Sequence, residues 1–198
     1  MQRQLFSVVV SFGLVLTASA LAQSRDENWK LCASDSTDLD PKIGACTAII
    51  QSGQETNADL AVAFYDRGGA YDDKDQIDRA IADYSQAIQL KPGYAHALRN
   101  RGRDYGRTGQ YDLAINDFSY AIQADPSYVD AYANRGYAYY FKGQYDRSIQ
   151  DADQAIQLDP NDAIAFYVRG MAKQQTGDTT GGDADIARAK QLNPNLAQ

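Results

Sequence analysis

The chain has 198 residues, a net charge of -7, two Cys, one His and 14 Tyr against 6 Phe. Its length suits one domain with a short appendage, and 44% hydrophobic with 23% charged residues is the composition of a chain that buries a core. The acidity speaks against nucleic-acid or anionic-membrane partners, and one His with two Cys is too small a set for an all-protein zinc site.

The amino end carries Arg3, then an apolar run from Leu5 to Leu16, then Ala20-Leu21-Ala22. That run is too short to span a bilayer, and the small residues suit a signal peptidase. The pattern predicts a signal peptide over 1–22, cut after Ala22, with an uncleaved anchor as the alternative. No Cys stands at the cut to take a lipid. Cleavage would remove Arg3 alone among the charged residues and move the net charge from -7 to -8. The expected location is therefore periplasmic or secreted, with no membrane insertion after cleavage. In an oxidising compartment Cys32 and Cys46 are expected to bond, closing a loop worth about 3 kcal/mol in the chain-entropy picture. Two buried free thiols are the alternative.

From there the chain repeats. Gly68, Gly102, Gly136 and Gly170 are separated by 34 residues, as are Pro92, Pro126, Pro160 and Pro194. Between them recur Tyr71, Tyr105 and Tyr139, then Ala80 and Ala114, then Tyr84 and Phe118, then Ala87, Ala121, Ala155 and Ala189. Tyr132, Gly136 and Tyr139 share one helical face, Gly109-Gln110 and Gly143-Gln144 mark turns, and Pro160 stops a helix, so each unit reads as a helical hairpin. One hairpin cannot bury its own apolar face, and stacking predicts an all-α solenoid, a right-handed superhelix with a concave groove.

These offsets resemble the tetratricopeptide repeat family, including bacterial members with Asn-Arg-Gly units such as Asn100-Arg101-Gly102 and Asn134-Arg135-Gly136. Four units follow at 61–94, 95–128, 129–162 and 163–198, the last degenerate and running to the carboxyl end. Residues 23–60 are expected to form a capping half repeat, in which Ile43, Cys46, Ile49 and Ile50 take the spacing of Ile81, Tyr84, Ala87 and Ile88 with an offset of 38. The disulfide would pin a preceding extended segment across the first hairpin. Arg67, Arg101, Arg135 and Arg169 replace the family's Leu, and Asp83, Asp117, Asp151 and Asp185 follow each by 16 residues. Two series with one period predict a ladder of ion pairs belonging to the scaffold.

Function is expected where the units differ. The resemblance places the groove on the first helix of each unit, at Val62, Tyr65, Gly69 and Asp72; His96, Arg99, Arg103 and Gly106; Asp130, Ala133, Tyr137 and Tyr140; Ile164, Tyr167, Met171 and Gln174. Arg99, Arg103 and Arg107 form one stripe, with His96 a turn before it. With Tyr65, Tyr137, Tyr140 and Tyr167 they would hold a peptide or protein segment, its acidic groups on the Arg forks and its apolar ones on the tyrosines. The alternative is that these arginines pair with nearby acids. The family's carboxylate clamp is matched only in part, since Ile164 and Val168 stand where its closing Lys and Arg would be. No oriented base accompanies His96, the run Asp72-Asp73-Lys74-Asp75 lacks the Gly and Glu of a calcium loop, and no phosphate loop occurs, so neither enzymatic activity nor a cofactor or metal is expected. The sequence reading is an exported interaction scaffold. Self-association through the last repeat and binding of envelope glycan on the tyrosines are the alternatives, and the oligomeric state is not legible.

Overall fold

A computed structural model describes residues 18–196. Those residues form ten α-helices: α1 (Ala18–Cys32), α2 (Leu39–Gln51), α3 (Asn57–Asp73), α4 (Ile77–Leu90), α5 (Ala95–Arg107), α6 (Tyr111–Ala124), α7 (Val129–Phe141), α8 (Tyr145–Leu158), α9 (Ala163–Gln175) and α10 (Thr179–Leu192). Turn chemistry separates them. Gly109, Gly143 and Gly177 take φ of 77°, 69° and 94° between the paired helices, a backbone that side chains with Cβ disfavour. Asp75 holds the same place in the first repeat at φ 57°, so the acidic run there is an inter-helix turn.

Each helix packs on the next, giving five antiparallel hairpins in a row. In addition α1 touches α3, α3 touches α5, α5 touches α7 and α7 touches α9, whereas no two even-numbered helices touch among the described residues. Odd helices crowd together on one side and even ones spread on the other. Curvature follows from that inequality, and the concave wall is built from the odd helices, as expected for a solenoid.

Small residues set the spacing. Ala63, Ala97, Ala131 and Ala165, one per repeat, are fully buried, as are Ala87, Ala121, Ala155 and Ala189. A Cβ on Gly102 would sit 2.8 Å from the Phe118 ring, and one on Gly170 would sit 2.7 Å from the Gly182 carbonyl oxygen. The last hairpin closes backbone on backbone because Gly182 stands where the earlier repeats have Ala80, Ala114 and Ser148. The recurrent tyrosines grade outward. Tyr71 and Tyr84 are buried, while Tyr105, Tyr111 and Tyr132 are half-buried against the core clusters; Tyr120, where the neighbouring repeats carry Gln86 and Gln154, is exposed.

The Arg–Asp ladder is present at all four rungs. Arg67 donates to both oxygens of Asp83 at 2.7 and 2.8 Å, Arg101 to Asp117 at 2.7 Å twice, Arg135 to Asp151 at 2.7 and 2.8 Å, and Arg169 to Asp185 at 2.7 and 2.6 Å. The remaining nitrogen of each guanidinium reaches the preceding hairpin: Thr47 at 3.0 Å, Ser85 at 2.9 Å, Ser119 at 3.1 Å and Asp153 at 2.7 Å. Each rung therefore ties two helices of one hairpin and staples it to its neighbour. Forked geometry and full hydrogen bonding are what let a buried carboxylate stay paired.

The amino-terminal segment departs from expectation. It is a complete hairpin, α1 and α2, rather than a half repeat with an extended leader across it. Cys32 ends α1 and is bonded to Cys46 in α2, both fully buried with Ala45, Ile49 and Ala63 and covered by Trp29 and Ile50. Arg25 on α1 forks onto Glu55 at 2.7 and 2.8 Å, holding the hairpin to the loop before α3. Thr47 supplies the first staple of the ladder, so this hairpin joins the stack as a repeat does. Of the expected signal peptide, residues 1–17 lie outside the described residues and 18–22 fall within α1.

Candidate interaction groove

The concave wall carries two aromatic strips and one charged knot. Tyr65 on α3 packs against Tyr94 with centroids 5.0 Å apart and the rings tilted by 39°, and His96 on α5 meets Tyr128 edge-on at 5.3 Å with Nδ1 3.0 Å from the Tyr128 hydroxyl. This first strip borders the start of the second repeat. Further along, Tyr137, Tyr140 and Tyr111 surround Phe141 at centroid distances of 4.7, 5.4 and 5.2 Å, the Tyr111 ring being parallel to it. Tyr137 and Phe141 are 40% and 47% exposed, which leaves their faces available. Tyr167 is half-buried in the next repeat. Burial first, then the neighbouring hydroxyls of Tyr111, Tyr167 and Tyr140, raise the Tyr137 pKa.

The arginine stripe is already occupied. Arg99 donates to Asp130 at 2.6 Å and to Asn100 at 2.9 Å; Arg103 bonds Asp72; Arg107 donates to Asp72 and to Asp75, each at 2.6 Å. The ion pairs among them cross between repeats, from the second back to the first and forward to the third. Under them lies Asp104, fully buried, with both oxygens lacking a hydrogen bond and the nearest Arg107 nitrogen at 3.6 Å. Burial foremost, then the charge of Asp72, pushes its pKa well up, against the pull of Arg103 and Arg107. Three guanidinium groups face four carboxylates, Asp72, Asp75, Asp104 and Asp130, and the stripe offers no surplus positive charge to a ligand. Asp66 on α3, raised by burial to about 6 with Lys42 opposing, is a second protonatable carboxyl beside the first strip.

Between α5, α6 and α7 the wall opens into a pocket of about 290 Å³. Phe118, Ala138 and Gly102 line it along with Tyr111 and Tyr137, and Arg103, Arg107, Gly106 and Asn134 complete the lining. The sequence pattern anticipated Tyr137, Arg103 and Gly106 as groove residues but missed Phe141, Tyr111 and Asp104. A signal for Phe141 existed, since it is the aromatic that stands one period after Arg107. Ala133, expected on the groove, is instead fully buried between Ala155 and Ala165, because the third repeat uses a small residue where the second has Arg99. Among the described residues no three His, Cys, Asp or Glu are gathered to hold a metal ion, and no helix is long and apolar enough to cross a membrane.

Comparison with known proteins gives the same architecture a family. Tetratricopeptide repeat profiles match residues 61–94 and 99–163, together half of the chain. Solved structures of MamA superpose closely. One, a crystal structure of MamA protein, has a TM-score of 0.74 at 20% identity over 89% of this chain and 95% of that one. The MamA 41-end structure from Desulfovibrio magneticus RS-1 has a TM-score of 0.74 at 18% identity over 89% and 97%. No curated protein matches by sequence. At such identities the structural likeness carries the fold alone; it is the tetratricopeptide repeat profiles that support a protein-interaction scaffold. Period, ladder, hairpin stack and profile agree, and the chain belongs to the tetratricopeptide repeat family.

Proposed function

We propose that this chain is an exported scaffold, periplasmic or secreted, that binds a segment of a partner protein along its concave face. The observation that carries the reading is the second aromatic strip. Tyr137 and Phe141 stay open to solvent beside a preformed pocket, on the one wall of the solenoid that its curvature turns inward. Exposed aromatics grouped at a concavity are the usual anchors of protein interfaces. Tyr65 and His96 on the first strip, and Tyr140 and Tyr167 beyond the pocket, extend the track to either side. Arg99 and Arg103 contribute shape and hydrogen-bonding edges. Acidic groups on the partner would have to displace Asp130 or Asp72 to reach them, so the tyrosines carry more of the recognition than the arginines.

Two measurements test this reading. Display of random linear peptides against the full chain should select a family of sequences whose binding falls at least tenfold in Tyr137→Ala, with the melting curve kept. Selection of no sequence, or binding indifferent to Tyr137, would remove the groove from the account. Export is tested by sequencing the amino terminus of the protein recovered from the producing cell's envelope fraction. Gln23 as first residue is expected, and a retained Met1 in a cytoplasmic fraction would overturn it.

A further inference from the structure

The pocket exists because one position of the repeat has lost its side chain. Counting in steps of 34, Asp72 in the first repeat corresponds to Gly106 in the second, Tyr140 in the third and Gln174 in the fourth. Where the first repeat fills this place with a carboxylate and the third with a ring, the second leaves it empty. Other glycines at close approaches are demanded by a neighbour, as Gly102 is by Phe118. A Cβ on Gly106 would meet nothing within 4 Å, and its φ lies outside the left-handed range. Glycine is a poor helix former, and it stands near the end of α5 with no packing or backbone reason to be there.

What would fill the gap is set by its walls. Phe118, Ala138 and Gly102 make an apolar lining, the Tyr111 and Tyr137 rings stand beside it, and a volume of about 290 Å³ admits one large side chain. The adjacent charges are spent: Arg103 and Arg107 both bond Asp72, and Arg107 also holds Asp75. A carboxylate entering here would meet those aspartates. A second copy of the chain, itself at -7, is disfavoured for the same reason. Asn134, whose amide nitrogen donates to the Asp130 carbonyl at 2.6 Å, keeps its Oδ1 as an acceptor at the pocket wall.

Resting on the groove reading above, we propose that this pocket is the anchor point for the partner segment and takes one uncharged aromatic side chain with a donor at its tip, tryptophan or tyrosine. The ring lies among Phe118, Tyr111 and Tyr137, and its N–H or O–H donates to Asn134 Oδ1. Neighbouring junctions do not offer this site, because Asp72 and Tyr140 occupy the equivalent space.

The test uses N-acetyl-tryptophanamide and the α-amide of N-acetyl-aspartic acid, which keeps its side-chain carboxylate, as probes, titrated into the full chain while amide resonances are followed. The tryptophan probe should move the Gly102 and Gly106 amides saturably, and the aspartate probe should leave them still. Gly106→Leu fills the pocket from a helical position with free space, so it should weaken the tryptophan probe at least tenfold without lowering Tm. Should Gly106→Leu fail to fold, Tyr137→Ala gives the same readout from a partly exposed ring. Equal binding in the filled and open proteins would overturn the proposal. So would an aspartate probe that moves the same amides, or a dimer in light scattering that Gly106→Leu abolishes. Failure here differs from failure of the groove reading: selected peptides that bind without an aromatic residue sink the anchor and keep the groove, whereas a bound probe with no selectable peptide does the reverse.

Discussion

Two neighbouring junctions of the solenoid use the same positions for opposite ends. Between the first and second repeats the set is Asp72, Arg103, Asp104 and Arg107, and it forms a closed knot of charge. One period later the set is Gly106, Tyr137, Ala138 and Phe141, and it leaves exposed rings beside a pocket. Backbone, ladder and alanine spacing are common to both. The difference lies in four side chains, so a repeat scaffold can seal one junction and open the next without altering its fold.

What the junctions share is the ladder, and breaking it should have the largest effect. Arg135→Leu removes the fork from Asp151, 7% exposed, and the donor from Ser119. A buried carboxylate left without its partner costs about 3 kcal/mol or more. Chemical denaturation should therefore show a loss of that order, and an unchanged midpoint would mean that the rung contributes nothing to the stack.

The next test converts the first junction toward the second. Asp104→Ala places there the residue that Ala138 supplies one period on. Because the Asp104 pKa is raised in the folded chain, the unfolded chain releases its proton first as pH climbs past the ordinary carboxylate range, and stability falls until the folded pKa is reached. Asp66, pushed up to about 6, and Asp117, raised by burial, add the same sign. Wild type should thus lose stability between about pH 4 and neutrality from these groups. Asp104→Ala should melt a few degrees higher at pH 7.5 and show a smaller difference between pH 5 and pH 7.5. A pH profile parallel to wild type would show that Asp104 does not hold its proton.

Much of this was legible in the chain itself, and the illegible parts share a cause. A 34-residue period identifies hairpins, turns and ladder because each is a repeated distance. Only half of the amino-terminal hairpin shows in the sequence, because α1, with its run of Arg25, Asp26, Glu27 and Asn28, has little apolar periodicity and owes its place to the disulfide and to Arg25–Glu55. The occupancy of the arginine stripe was open because Arg103 and Arg99 find their acids in adjacent repeats, each at a contact made once. The pocket was hidden for a different reason: it is a missing side chain, and only the packing shows that nothing fills the space beside Gly106.

The smallest effect probes what the charged knot costs its own turn. Asp75 holds Arg107 at 2.6 Å but takes φ 57°, where the equivalent Gly109, Gly143 and Gly177 carry no Cβ. Asp75→Gly relieves a strained backbone and gives up an ion pair whose carboxylate side is 81% exposed. Exposed pairs contribute about 0–1 kcal/mol and are screened by salt, whereas backbone strain is indifferent to salt. Stability should then change by no more than about 0.5 kcal/mol at low ionic strength, the two terms being of similar size and opposite sign. In about 1 M salt, where the Debye length shrinks to about 3 Å, the variant should be the more stable protein. A variant that stays less stable at high salt would mean that Asp75 supports the knot through geometry rather than charge, and that the sealed junction depends on its turn as well as on its four side chains.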